Sequence, residues 1–148
     1  IRSQHNIGSI FRTSDAFRIE ELYLCGITAT PPNREINKSA LGATESVKWQ
    51  YFDHTLKAIE KLRNEGYTIV AVEQASGSID LESYSHNPSV KVALVFGNEV
   101  NGVSDDVMEV VDVCIEIPQF GTKHSFNVSV TAAIVMYQFF IKLKKKLL

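Results

Sequence analysis

Apolar and polar positions along this chain fall into alternating blocks. "LYLCGI" (22–27), "YTIVAVE" (67–73), "VALVFG" (92–97) and "VCIEI" (113–117) are short, near-continuous runs rich in β-formers, and each predicts a strand. Between the first two, "HTLKAIEKLRNEG" sets Leu56, Ile59 and Leu62 on one helical face, with Asp53 as the expected N-cap and Gly66 as the stop. After the third, Ser104 is placed to cap "DDVMEVV", whose acidic first turn suits a helix start. Near the N-terminus, "IGSIFRTSDAF" carries Ile7, Ile10, Phe11 and Phe17 at helical spacing. From Asn127 onward a last helix is apolar on nearly every face, so it needs burial all round. "TATPPNREINKSALGATESV" (28–47) reads as a long, mostly irregular connection, and such loops in compact domains tend to be functional.

Near-continuous apolar strands separated by helices imply an α/β fold with a parallel sheet covered on both faces. With 148 residues, no repeat and no linker, a single domain spanning 1–148 is expected. Hydrophobic residues at 45% and charged residues at 22% are ordinary for a globular chain. The net charge of −2 carries no global nucleic-acid signal, which leaves local patches. Lys142, Lys144, Lys145 and Lys146 form one such patch, readable either as a solubilising helix end or as an RNA contact.

Cys25 and Cys114 lie in strand-like runs and read as small buried hydrophobes. His5, His54, His86 and His124 show no metal-ligand spacing, so no metal is expected. No apolar run reaches the roughly 20 residues of a membrane span, and no signal peptide is present, so a cytoplasmic protein is the default.

Parallel α/β sheets bind ligands beyond the C-terminal ends of their strands. "EQASG" (73–77), "FGNEVNGVS" (96–104) and "PQFGTKHSFN" (118–127) each follow a predicted strand directly. Neither GxGxxG nor GxxxxGK[ST] occurs, so the ligand is expected to be one held without a phosphate grip. Taken singly, each stretch has a plain structural alternative. Glu99 can be an exposed acid in a strand-to-helix loop, Arg12 a solvated side chain on an amphipathic helix, and Ser125 or Asn127 a cap for the last helix.

Together, in order, the stretches resemble the three motifs of the TrmH (SpoU) family of RNA ribose methyltransferases, in the SPOUT superfamily. "NIGSIFRTSDAF" resembles the first motif, with Asn6, Arg12 and Ala16-Phe17. "LVFGNEVNGVS" resembles the second, carrying Gly97, Glu99 and Gly102; "IPQFGTKHSFNVSVTAAIVMYQ" resembles the third, carrying Pro118, Gly121, Ser125 and Asn127. Phe126 stands where the family commonly has leucine and Gln138 where glutamate is frequent. The strand that normally precedes the first motif is not found ahead of "IRSQHN".

The resemblance implies a SPOUT-type fold closed by a C-terminal deep trefoil knot, a homodimer, and transfer of methyl from S-adenosyl-L-methionine to a ribose 2′-hydroxyl of tRNA or rRNA, tRNA slightly favoured. It places the cofactor against Gln74, Gly97, Ile117, Gly121 and Phe126, and catalysis on Arg12 helped by Asn6, Glu99, Ser125 and Asn127. Guanidinium is effectively never a free base, so two roles stay open for Arg12: activating the hydroxyl, or clamping a neighbouring phosphate while Glu99 supports proton transfer. Lys48, Arg34 and Lys38, with the basic tail, are the expected phosphate contacts. The alternative is a knotted dimer that binds RNA or cofactor without turnover.

Overall fold

The computed structural model describes residues 1–123 and 125–147, with the backbone alone for 145–147. All four predicted strands are present: β1 (Glu21–Cys25), β3 (Tyr67–Val72), β5 (Lys91–Phe96) and β6 (Val113–Glu116). With the two-residue β4 (Ile79–Asp80), the last three form a parallel sheet in the order β4-β6-β3-β5. Residues of β3 from Ile69 to Ala71 are fully buried, as a strand covered on both faces requires.

The 28–47 connection is less irregular than its sequence implies. It contains α2 (Arg34–Ala40) and α3 (Ala43–Ser46), and it leads into β2 (Lys48–Phe52), which pairs in parallel with β1 as a separate two-stranded sheet. Asn33 caps α2 by accepting the Glu35 and Ile36 N–H groups. The helix buries Ile36 and Ala40, one i, i+4 pair, too short a period to stand out in the sequence. It packs against α1 (Gln4–Ala16) at Gly8, where a Cβ would come within 2.2 Å of the Ile36 carbonyl oxygen.

Helix α4 (Thr55–Asn64) ends as expected at Gly66, whose φ of +84° only glycine adopts without strain. Its N-cap is His54 rather than Asp53. Asp53 instead pairs with Lys57, one helical turn on, at 2.8 Å. Ser104 sits at the N-cap of α5 (Asp105–Met108) but makes no side-chain cap bond.

Helix α6 (Val128–Leu147) is the long apolar helix. Val135 and Phe139 pack on the sheet with Val70 and Ile115, while Ala132 and Met136 meet Ile10 of α1. A third face stays exposed in the single chain: Val130 is 46% accessible and Tyr137 52%. Lys142 departs from the solvated basic patch expected of it. Its ammonium donates to the carbonyls of Leu81, Glu82 and Tyr84 at 2.6–3.2 Å, and desolvation lowers its pKa. The side chains of Lys145 and Lys146 lie outside the described residues.

The free edges of β1 and β5 face a cavity of about 550 Å³ between the two sheets, lined by Leu22, Leu24, Ile59, Ala93 and Val95. Among the described residues no strand occupies it.

Candidate active site

Strand register decides where the candidate loops begin. Val72 lies beside Phe96 on one side and Ile115 on the other, so Gln74, Gly97 and Ile117 emerge together from three adjacent strands at the sheet's C-terminal edge. Gln74 is exposed, while Gly97 and Ile117 are half-buried. Gly97 allows a close backbone approach, and the partner is its own loop. A Cβ there would lie 2.0–2.4 Å from the backbone of Gly102 and Val103. Asn98 and Gly102 exchange backbone hydrogen bonds and close a tight turn that projects Glu99.

Glu99 faces the N-terminus of α1. Its carboxylate accepts the Arg2 and Ser3 N–H groups at 2.8 and 3.0 Å and the Asn6 Nδ2 at 3.1 Å. Partial burial pushes its pKa up, but these hydrogen bonds, led by the two backbone donors, outweigh burial and hold it down at about 2. The positive end of the helix dipole lies at the same place. Asn6, buried on α1, turns its other amide atom to the third motif: Asn127 Nδ2 donates to Asn6 Oδ1 at 3.1 Å. Asn127 also caps α6, its Oδ1 accepting the Ser129 N–H at 2.9 Å and the Ser129 hydroxyl at 2.6 Å. The capping role considered for Asn127 and its place in the motif cluster therefore coexist.

Asn6, Glu99 and Asn127 thus form one hydrogen-bonded group. Arg12 does not join it: it is exposed farther along α1 and makes no hydrogen bond or ion pair among the described residues. Ser125, Gly121 and Phe126 lie exposed on the 117–127 loop. A Cβ added at Gly121 would meet nothing within 4 Å among the described residues, so none of these demands glycine there. His124 lies outside the described residues. No group of three metal-ligating side chains exists among the described residues.

Sequence reasoning passed over Glu73, whose carboxylate reaches from the end of β3 to the Val103 N–H at 3.0 Å. The available signal was an acid closing an otherwise apolar strand. Ser129, bonded to Asn127 and 3.5 Å from Asn6 Oδ1, was missed because it reads as an ordinary first-turn residue.

A parallel α/β sheet with three motif loops at one edge, two of them joined through the first helix, defines a class before it defines a member. The SpoU rRNA Methylase family model matches residues 1–137, and the chain belongs to that family. It is 36% identical over 105 residues to a tRNA (guanosine(18)-2'-O)-methyltransferase of Borreliella burgdorferi, covering 71% of this chain and 47% of that protein. To the Aquifex aeolicus protein of the same name it is 34% identical over 143 residues, covering 93% of this chain and 64% of the relative. The chain therefore spans less than two thirds of the length of these relatives. Among solved structures, an A. aeolicus TrmH/SpoU tRNA modifying enzyme superposes with a TM-score of 0.86 at 28% identity, over 99% of this chain and 73% of the other. An AdoMet-bound rRNA methyltransferase from Sinorhizobium meliloti gives 0.86 at 27% identity, over 98% and 53%.

Proposed function

We propose that residues 1–148 form the catalytic domain of an RNA ribose 2′-O-methyltransferase that uses S-adenosyl-L-methionine and acts on tRNA in preference to rRNA. The observation that carries this reading is the Asn6–Glu99–Asn127 group, which joins three sequence motifs at the edge where a parallel sheet binds ligands. The preference for tRNA rests on the names of the two relatives above.

The residues present suit the cofactor. Gln74, Gly97, Ile117, Gly121 and Phe126 would hold it, with loop backbone around it and apolar surface from Ile117, Phe126 and the almost fully exposed Phe120. Such a lining suits a nucleoside gripped by its base and ribose with no phosphate to hold. When bound, S-adenosyl-L-methionine supplies an electrophilic methyl group.

The chain's own contribution is positioning. Glu99 is already engaged by three donors, and with a pKa near 2 it is a poor proton acceptor; the structure favours it as the anchor of α1 over a role in proton transfer. Arg12, exposed and without a hydrogen bond or ion pair among the described residues, is free to clamp a phosphate bidentately and orient the neighbouring hydroxyl. Arg34 and Lys48, exposed and without ion pairs among the described residues, extend the phosphate-binding surface; Lys38 is engaged by Glu35 at 2.7 Å.

Three further features belong to the same reading. A homodimer would cover the exposed α6 face and set Arg12 of one subunit near the cofactor of the other; the free Val130 and Tyr137 surface supports it. A C-terminal trefoil knot is supported by β6, the last strand, lying between the earlier β3 and β4. The cavity between β1 and β5 has the character of a berth for one further strand, the one the family places ahead of the first motif.

The test is methylation of unmodified tRNA and rRNA, kept apart, with labelled cofactor and with Arg12→Ala in parallel. A ribose-methylated nucleoside from tRNA, lost in the variant, is expected. A chain that binds no cofactor would overturn the proposal.

A further inference from the structure

We infer that Glu73 is a positioning residue that sets the geometry of the cofactor pocket by tying two of its walls together. Its carboxylate serves two backbone donors on different segments. Oε1 accepts the N–H of Gln74, the first pocket residue after β3, at 2.9 Å, and Oε2 accepts the N–H of Val103, at the far end of the 97–103 turn, at 3.0 Å. Gly102, with φ +66°, lies flat against the same carboxylate, and a Cβ on it would come within 2.2 Å of Glu73 Oε2. The Glu73 backbone is itself held by β6 through both its polar groups: its N–H donates to the Ile115 carbonyl, and its carbonyl accepts the Cys114 Sγ–H at 3.4 Å. The Glu73 side chain thus ties the end of β3 to the turn after β5, while its backbone ties the same strand end to β6.

The consequence is directional. Gly97 and Gly102 are packed backbone to backbone, and beyond the buried Val103 side chain at its end, clustered with Ile69 and Val107, the turn relies on hydrogen bonds to hold its height above the sheet. A carboxylate accepting two N–H groups supplies that hold, and ionised acceptors make hydrogen bonds roughly twice as strong as neutral ones. A glutamine keeps one acceptor atom and turns an N–H donor toward the second backbone N–H. Alanine keeps neither bond. The turn also carries Glu99 on its outer side, but Glu99 has its own three donors and holds α1 independently of Glu73. Loss of Glu73 therefore acts on the cofactor side of the site and leaves the RNA side in place.

This inference rests on the cofactor reading above, and the experiment separates the two. Wild type, Glu73→Gln and Glu73→Ala are compared by calorimetric binding of S-adenosyl-L-methionine, by KM for cofactor and for RNA, and by amide hydrogen exchange at Gln74 and Val103. Relative to wild type, the cofactor Kd and KM should rise about tenfold in Glu73→Ala and by an intermediate factor in Glu73→Gln. RNA KM should stay within about twofold, and the Val103 amide should exchange faster in both variants. A residue that merely stabilised the fold would lower the active fraction and leave the cofactor KM unchanged. Should Glu73→Ala fail to fold, Glu73→Gln carries the comparison. Unchanged cofactor affinity with a deprotected Val103 amide overturns this inference alone. A wild type that binds no cofactor overturns the underlying reading and this inference with it.

Discussion

Asn127 Nδ2 donates to Asn6 Oδ1 at 3.1 Å, joining the start of the last helix to the first helix across 121 residues of chain. Because Asn6 also donates to Glu99, its two amide atoms are both committed, and no other residue type of its size offers a donor and an acceptor in this way. Asn6→Ala should cost about 1–3 kcal/mol of stability, read by urea denaturation, and lower kcat/KM. Asn6→Asp should be worse than alanine at neutral pH, because it sets a carboxylate against that of Glu99. Equal effects of the two substitutions would show that the polarity of the amide does not matter.

Glu99 makes the fold sensitive to acid in a defined window. Its carboxyl is held at about 2 in the folded chain against an ordinary 4.5, so the unfolded chain takes up this proton first as pH falls. The contribution is fully present above about 4.5 and is lost as pH descends from there through about 2. Melting curves across that range should show wild type falling more steeply than Glu99→Gln. Parallel curves would mean that the helix-anchoring bonds do not form in solution.

Two glycines in the motif loops should behave in opposite ways. Gly97→Ala drives a Cβ into the backbone of Gly102 and Val103 and should cost roughly 2 kcal/mol or more, since backbone has to shift. Gly121→Ala meets none of the described residues within 4 Å and should leave the melting temperature unchanged within about a degree. If the 117–127 loop closes on the cofactor, Gly121→Ala should still weaken cofactor binding, measured by calorimetry. A drop in stability with intact binding would reverse the assignment.

The exposed side of α6 provides a test of assembly. Ile134 and Tyr137 are 36% and 52% accessible in the single chain, and Phe17, just past the end of α1, packs beside Tyr137 with ring centroids 5.9 Å apart. Ile134→Glu with Tyr137→Glu should convert a dimer to a monomer in sedimentation equilibrium while leaving the circular dichroism spectrum unchanged. A wild type that sediments as a monomer at every concentration would remove the dimer from the proposal.

Much of this site was legible from residue types and their order. Continuous runs such as "YTIVAVE" and "VALVFG" report burial on both faces directly, so the parallel strands and the loops at their ends could be placed from the chain alone. Asn6, Glu99 and Asn127 were named from motif resemblance, and so were Gln74, Gly97 and Ile117 at the strand ends. Their spacing along the chain said nothing of which would touch. Strand order and register settle that: β3 lies between β5 and β6, and the turn after β5 then reaches the head of α1.

The sequence by itself determined the four apolar strands β1, β3, β5 and β6 and the stop of α4 at Gly66, because each depends on local burial or on one residue's backbone freedom. Only the tertiary structure decided the rest. α2 emerged from a segment whose apolar period is too short to read, stabilised by packing Ile36 against Gly8 of another helix, and β2 formed after it by pairing with β1. Lys142 turned from the basic tail onto three carbonyls of the 81–84 segment, and Glu73 took hold of a turn 30 residues away. These are pairings between distant polar groups, and a hydrogen bond depends on position and direction in space, which periodicity along a chain does not encode.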